Sequence, residues 1–85
     1  MSFYVYMLKS KSIKPITYVG YTNNLVKRIK LHNLGKGAKF TRGRKWKVIY
    51  SNKYKSKSQA IKEEIKLKKN YRLRKDIKRK FILAS

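Results

Sequence analysis

The sequence predicts an α+β fold, a three-stranded antiparallel sheet flanked by helices in the order β-β-α-β-α-α. Three observations carry that expectation. Two aromatic and β-branched runs lie one short connection apart, strand and helix signals then alternate to the end of the chain, and no internal repeat or low-complexity linker interrupts them. Eighty-five residues suffice for one domain with a modest core and leave no room for a second. The expectation is therefore a single domain over 1–85, with its core at about 3–70 and a basic C-terminal helix at about 71–83.

Residues 2–8 read as the first strand, with Phe3, Val5 and Met7 on one face and Tyr4, Tyr6 and Leu8 on the other. A basic connection over 9–14 leads through Pro15 to a second strand at 16–21, and the two are expected to pair as a hairpin. Thr22, Asn23 and Asn24 offer side-chain oxygens for a helix cap, Leu25, Val26, Ile29 and His32 follow at helical spacing, and Gly35 and Gly37 end the helix. The Gly-, Lys- and Arg-rich segment 35–45 is expected to be a solvent-facing loop. Trp46, Val48 and Tyr50 alternate along a third strand at 46–52, and Tyr50 and Tyr54 bracket the turn that follows. Ser56 to Ser58 supply a cap for a helix over 59–69, and the basic helix 71–83 closes the chain.

Charge narrows the function. Twenty-five Lys and Arg against three acidic residues give a formal charge of +22, while 41% hydrophobic and 13% aromatic content is too much for a disordered chain. Nucleic acid is the expected partner, because counterion release from phosphates rewards such a surface. Cysteine is absent, which excludes a disulfide framework and a Cys-type zinc site. No apolar run is long enough to span a membrane and no signal peptide stands at the N-terminus, so a cytoplasmic location and no membrane partner are expected.

Beyond Tyr and Lys, the acids, bases and metal ligands reduce to His32, Glu63, Glu64 and Asp76. On the helix that begins near Gln59, the residues Ala60, Ile61, Ile65, Leu67 and Tyr71 form an apolar arc whose centre falls close to Glu64. A carboxylate on the buried side of a helix needs a partner, either a metal ion, an Arg, or Lys68 one turn away in a structural ion pair. His32 follows Arg28 by four residues, so the two share a helix face from which both reach one phosphodiester; a satisfied core histidine is the alternative. Tyr6 and Tyr18 sit on the paired strands, as donors or bases if nearby cations lower their proton affinity, or as packing groups. Gly20 allows close backbone approach at a strand end or marks a bulge. Lys36, Lys39, Phe40, Thr41, Arg42 and Arg44 combine cations, an aromatic ring and flexible backbone, a mixture suited to holding phosphates and stacking on an unpaired base. The segment lacks the Gly-Lys-Ser/Thr ending of a nucleotide-hydrolysing loop.

These features fall in the order of a known family. Tyr4-Val5-Tyr6 and Tyr18-Val19-Gly20 resemble the paired motifs of the GIY-YIG nuclease superfamily, Arg28 and His32 resemble its helix Arg and His, and Glu64, followed by Leu67 and Lys68, resembles its metal-binding Glu. The 35–44 segment resembles the small bacterial UPF0213 or YhbQ-like branch, and the likeness covers residues 3–70. Tyr4 stands in place of the first motif's Gly, both central Ile positions are Val, and Glu63 replaces a residue that is often basic; none of these removes a catalytic group.

The resemblance implies an endonuclease that uses one divalent cation, Mg²⁺ or Mn²⁺, held chiefly by Glu64 and the scissile phosphate. It implies that Tyr6 helps activate the attacking water with Tyr18 or His32, and that Arg28 offsets charge on the phosphate. The expected partner is DNA in preference to RNA, the expected state a monomer, and the expected selectivity for single strands or branched structures. A catalytically idle nucleic-acid-binding module on the same scaffold is the second reading, and a basic accessory protein of a ribonucleoprotein the third.

Overall fold

A computed structural model describes residues 2–84. The elements are β1 (Phe3–Ser10), β2 (Thr17–Thr22), α1 (Leu25–Asn33), a 3-10 turn (Lys39–Thr41), β3 (Trp46–Tyr54), α2 (Lys57–Lys69) and α3 (Tyr71–Ala84). The sheet is antiparallel throughout, with strand order β2-β1-β3. Class and element order are as the sequence predicts.

β1 is buried on both faces because it is the central strand. Tyr6 and Leu8 point to one side, where Trp46, Leu25, Ile29 and Val48 meet them and α1 covers the sheet. Val5 and Met7 point to the other, against Val19, Ala60 and Leu67, with Tyr50, Tyr54 and Ile77 around them, beneath α2 and α3. β1 extends two residues beyond its predicted end. Ser10 is fully buried, its N–H donates to Ile16 O at 2.9 Å, and its hydroxyl accepts from Ile16 N–H at 2.9 Å, which closes the hairpin. The expected basic connection therefore begins after Ser10, not at Lys9.

The third strand departs from simple alternation. Met7 pairs with Tyr50 and Leu8 with Val48, so Ile49 is an extra residue on β3. The bulge reverses the facing of the strand: Trp46 and Val48 pack on the α1 side, whereas Tyr50 joins Ile49 on the α2 side. Tyr50 and Tyr54 do not bracket a turn; the strand continues through both, and both line the second cluster.

Helix ends follow their caps. The Asn24 side chain accepts from Lys27 N–H, and Ser56 Oγ accepts from Gln59 N–H. After α1, Gly35 has φ of 78°, Lys36 N–H reaches Leu31 O at 2.8 Å and Gly35 N–H reaches His32 O at 3.0 Å, the paired bonds of a Schellman end. Asn70 separates α2 from α3 and caps the latter by accepting from Leu73 N–H at 3.0 Å. Arg74 donates to the terminal carbonyls Leu67 O and Lys68 O, and Lys78 Nζ donates to Pro15 O at 2.8 Å, so α3 is tied down by polar contacts as well as by Ile77.

Two helical faces are narrower than the sequence suggests. Val26 is 70% exposed, and on α2 the buried residues are Ala60 and Leu67, while Ile65 faces solvent and Tyr71, exposed as well, opens α3. A short helix on a small sheet covers only about a third of its circumference, and the sequence pattern does not say which apolar residue falls outside. No described helix is long and apolar enough to cross a membrane.

Leu8→Ala is expected to cost ~2–5 kcal/mol, because a fully buried side chain is removed from between α1 and the sheet. Val26→Ala is expected to change stability by less than ~0.5 kcal/mol. Urea unfolding followed through Trp46 fluorescence measures both, and comparable losses would mean that α1 packs by a different face.

Candidate active site

Strand pairing places Tyr6 of β1 directly opposite Gly20 of β2. A Cβ at position 20 would lie 2.6 Å from the Tyr6 hydroxyl oxygen, so only glycine leaves room for the phenol to lie across the neighbouring strand. Gly20 thus answers to close approach rather than to a bulge. The phenol is fully buried and its oxygen lies 2.7 Å from His32 Nε2. His32, also fully buried, comes from the last turn of α1, and its Nδ1 lies 2.9 Å from Thr41 Oγ1.

Thr41 corrects the expectation of an open loop. The 3-10 turn folds back against α1, Thr41 is fully buried, and its carbonyl accepts from Trp46 Nε1–H at 2.9 Å. A buried indole N–H needs an acceptor, and the turn supplies it. Thr41 is therefore not available to contact nucleic acid directly. Lys36, Lys39, Arg42 and Arg44 are exposed as expected, and Phe40 is 56% exposed. Gly37, expected only to end the helix, packs on the imidazole: a Cβ there would stand 2.3 Å from His32 Nδ1. Nothing in the sequence signals that contact, because it depends on where the turn lands.

Arg28 lies one helical turn before His32. Its Nη2 donates to Gly37 O at 3.0 Å, and its Nε is buried without a hydrogen-bond partner among the described residues. Burial pushes the Tyr6 phenol up to about 12; the Arg28 guanidinium pulls the other way and does not prevail. Burial, and then the Arg28 charge, hold the His32 imidazole below its ordinary value. At neutral pH both partners of the 2.7 Å contact are therefore uncharged.

Glu64 projects from the sheet side of α2, with its side chain 13% exposed, 3.5 Å from Lys68 Nζ. The ion pair with Lys68 is thus formed. The Glu64 charge also bears, as the weakest of several influences, on the Tyr6 phenol. Among the described residues no three His, Asp or Glu side chains gather as a cage for a metal. A lone carboxylate beside a cleft instead fits a hard cation that keeps several waters and takes further oxygens from a phosphate, which is how Mg²⁺ is usually held.

The two helical layers approach each other around the free edge of β2. There Thr17, Tyr18, Val19, Phe40, Lys68 and Arg74 line an open groove of about 430 Å³. The Tyr18 and Phe40 rings stack with centroids 6.0 Å apart at 23°, and Tyr18 also lies 5.1 Å from the His32 ring. Tyr18 is thus the phenol at the groove wall, with Tyr6 and His32 behind it. Tyr6, Tyr18, Arg28 and His32 are brought together as predicted, Glu64 approaches from the opposite layer, and the exposed cations of 36–44 flank the aromatic wall. Arg74 is a groove residue that the sequence did not single out, and Lys68, read there as a partner of Glu64, lines the groove as well.

Comparison with known proteins gives the family. The GIY-YIG catalytic domain family matches residues 2–78. A UPF0213 protein of Oceanobacillus iheyensis is 47% identical over 66 residues, covering 76% of this chain and 74% of the relative. One from Clostridium perfringens is 49% identical over 67 residues, covering 78% and 70%. The solution NMR structure of a UPF0213 protein from Bacillus halodurans superposes with a TM-score of 0.51 at 39% identity, over 89% of this chain and 80% of that one. A family match across nearly the whole chain, relatives at this level of identity and the same fold lead to one conclusion: the chain belongs to the GIY-YIG nuclease superfamily, in its UPF0213 group.

Proposed function

We propose that the protein is a divalent-metal-dependent endonuclease that hydrolyses phosphodiester bonds in DNA and selects strands with unpaired nucleotides. The observation that carries this reading is the buried 2.7 Å contact between Tyr6 and His32, on a helix that also carries Arg28 one turn before the imidazole.

In the proposed reaction the water oxygen bonds to phosphorus, the bond to the leaving oxygen breaks, and the water's proton passes to the Tyr6–His32 pair. Tyr18, whose ring lies against His32, forms the wall between that pair and the groove. Arg28, with an unpartnered Nε, offsets negative charge on the phosphate. Glu64 would hold Mg²⁺ or Mn²⁺ in exchange for its contact with Lys68, and the bound cation would polarise the phosphate. Selectivity for unpaired bases is supported by the stacked Tyr18 and Phe40, which offer a flat apolar surface, and by Lys36, Lys39, Arg42 and Arg44 beside it.

One observation favours a second reading, a binding module without catalysis: Glu64 already has Lys68 as a partner. Cleavage of end-labelled single-stranded, duplex and branched DNA with Mg²⁺ or Mn²⁺ separates the two. Glu64→Gln is expected to lower cleavage on the order of 10²–10³-fold while the Kd for DNA stays within a few-fold. Wild-type binding without cleavage under either metal moves the binding module to the front.

The pH dependence follows from His32, which must be neutral to take a proton. Its pKa is held below the ordinary 6.5, so the midpoint of its protonation falls below that value. Cleavage should decline as the pH is lowered, with its midpoint below 6.5; a decline centred above 6.5 would contradict the assignment. Phe40→Ala should weaken single-strand binding by ~1–3 kcal/mol, roughly 5–150-fold in Kd, with little change for blunt duplex. Equal losses on both substrates in a fluorescence-anisotropy titration would remove Phe40 from base recognition.

A further inference from the structure

The hydrogen-bond chain behind the groove does not stop at His32. Thr41 Oγ1 lies 2.9 Å from His32 Nδ1 and 3.0 Å from Ala38 O. A carbonyl oxygen only accepts, so the single hydroxyl proton of Thr41 is given to Ala38. The same oxygen then meets Nδ1 as an acceptor, and Nδ1 carries the ring proton. A neutral imidazole with its proton on Nδ1 has its lone pair on Nε2, and Nε2 faces the Tyr6 hydroxyl at 2.7 Å. The direction of the whole chain is thereby determined: Tyr6 donates to His32, His32 donates to Thr41, and Thr41 donates to Ala38.

We infer that Thr41 is the positioning residue of this site, selecting the His32 tautomer whose Nε2 accepts the Tyr6 proton. The inference rests on the proposed nuclease reading for its catalytic consequence, but the tautomer itself does not. With the opposite tautomer, Nε2–H would point its hydrogen at Tyr6, and the phenol could not pass its proton to the ring.

The surroundings hold Thr41 to this task. Its backbone N–H donates to the same Ala38 carbonyl at 3.2 Å, and its own carbonyl is fixed by the Trp46 indole at 2.9 Å. Trp46 is in turn clamped to α1, its N–H donating to Asn33 Oδ1 at 2.6 Å and its carbonyl accepting from Asn33 Nδ2 at 3.3 Å. Position 37 must be glycine for the turn to close over the ring, since a Cβ would stand 2.3 Å from Nδ1. The titratable and charged groups that face this chain are Tyr6 from β1, Tyr18 from β2, Arg28 from α1 and, through its charge on Tyr6, Glu64 from α2. Among the described residues, the hydrogen-bond partner at Nδ1 is Thr41 Oγ1.

His32 is the only histidine in the sequence, so its ring nitrogens give unambiguous ¹⁵N signals. Wild type at neutral pH is expected to show a protonated, pyrrole-type Nδ1 and an unprotonated, pyridine-type Nε2. Thr41→Val keeps the shape but loses the acceptor, and should shift the signals toward the Nε2–H form; Thr41→Ser should restore the wild-type pattern. In the cleavage assay, Thr41→Val should lose on the order of 10²–10⁴-fold in kcat with KM nearly unchanged, and Thr41→Ser should recover most of it. A wild-type protein with its proton on Nε2 overturns the inference, whatever the variants do. So does a Thr41→Val protein that keeps the wild-type pattern. If wild type cuts no DNA at all, the nuclease reading fails while the ¹⁵N result still decides the tautomer.

Discussion

The molecule is organised around one buried hydrogen bond, between a phenol on the central strand and an imidazole at the end of the first helix. Burying two polar groups costs several kcal/mol unless each finds a partner. Tyr6 and His32 satisfy each other at 2.7 Å, and the second imidazole nitrogen is satisfied by Thr41. Much else follows from that bond. β2 must pass Tyr6 without a side chain, hence Gly20; the turn must pass His32 without one, hence Gly37. The turn must also return toward α1, hence the indole of Trp46 on Thr41 O. The Schellman end of α1, with Gly35 at φ of 78°, starts the chain on that return.

Charge is the second constraint. A formal +22 on 85 residues repels itself, and three carboxylates cannot neutralise it. Each carboxylate does meet a cation: Glu63 with Lys66 at 3.4 Å, Glu64 with Lys68 at 3.5 Å and Asp76 with Arg79 at 3.8 Å. Two of these pairs are largely exposed on the cation side and contribute little. Glu64 differs because its side chain is mostly shielded from solvent. On the proposed reading, a shielded carboxylate has two ways to be neutralised, by Lys68 or by a cation brought with substrate, and exchange between them costs less than stripping either partner bare.

Much of this was legible in the sequence, and the limits are physical. Strand and helix order followed from period 2 and period 3.6 patterns, and Asn24, Ser56 and Gly35 marked real ends because capping is local chemistry. Glu64 was visible as a polar residue at the centre of an apolar arc. What was not visible depends on contacts between distant segments. The extra Ile49 breaks the alternation of Trp46, Val48 and Tyr50, and a bulge leaves no mark in a run of β-branched and aromatic residues. Thr41 read as one more polar residue in a basic loop, although it is fully buried. A Gly-, Lys- and Arg-rich composition describes the outside of that segment well and says nothing of the single hydroxyl that turns inward.

The position of the groove has a topological cause. With the order β2-β1-β3, β1 is sealed on both faces, so helices on opposite sides can share a site only around an edge. The β3 edge carries the bulge and polar residues such as Asn52 and Lys53. The β2 edge is short, with Tyr18 flanked by small Thr17 and Val19, and there Phe40 from one layer and Lys68 and Arg74 from the other line a common wall. Arg74 gives one end of its guanidinium to the carbonyls that finish α2, which fixes α3 against the groove instead of leaving it as a free basic arm. An unpaired segment at this edge would therefore meet stacked rings from the α1 layer and cations from the α2 and α3 layer. On the proposed nuclease reading, the scissile phosphate would lie nearest Tyr18, with the Tyr6–His32–Thr41 chain behind it.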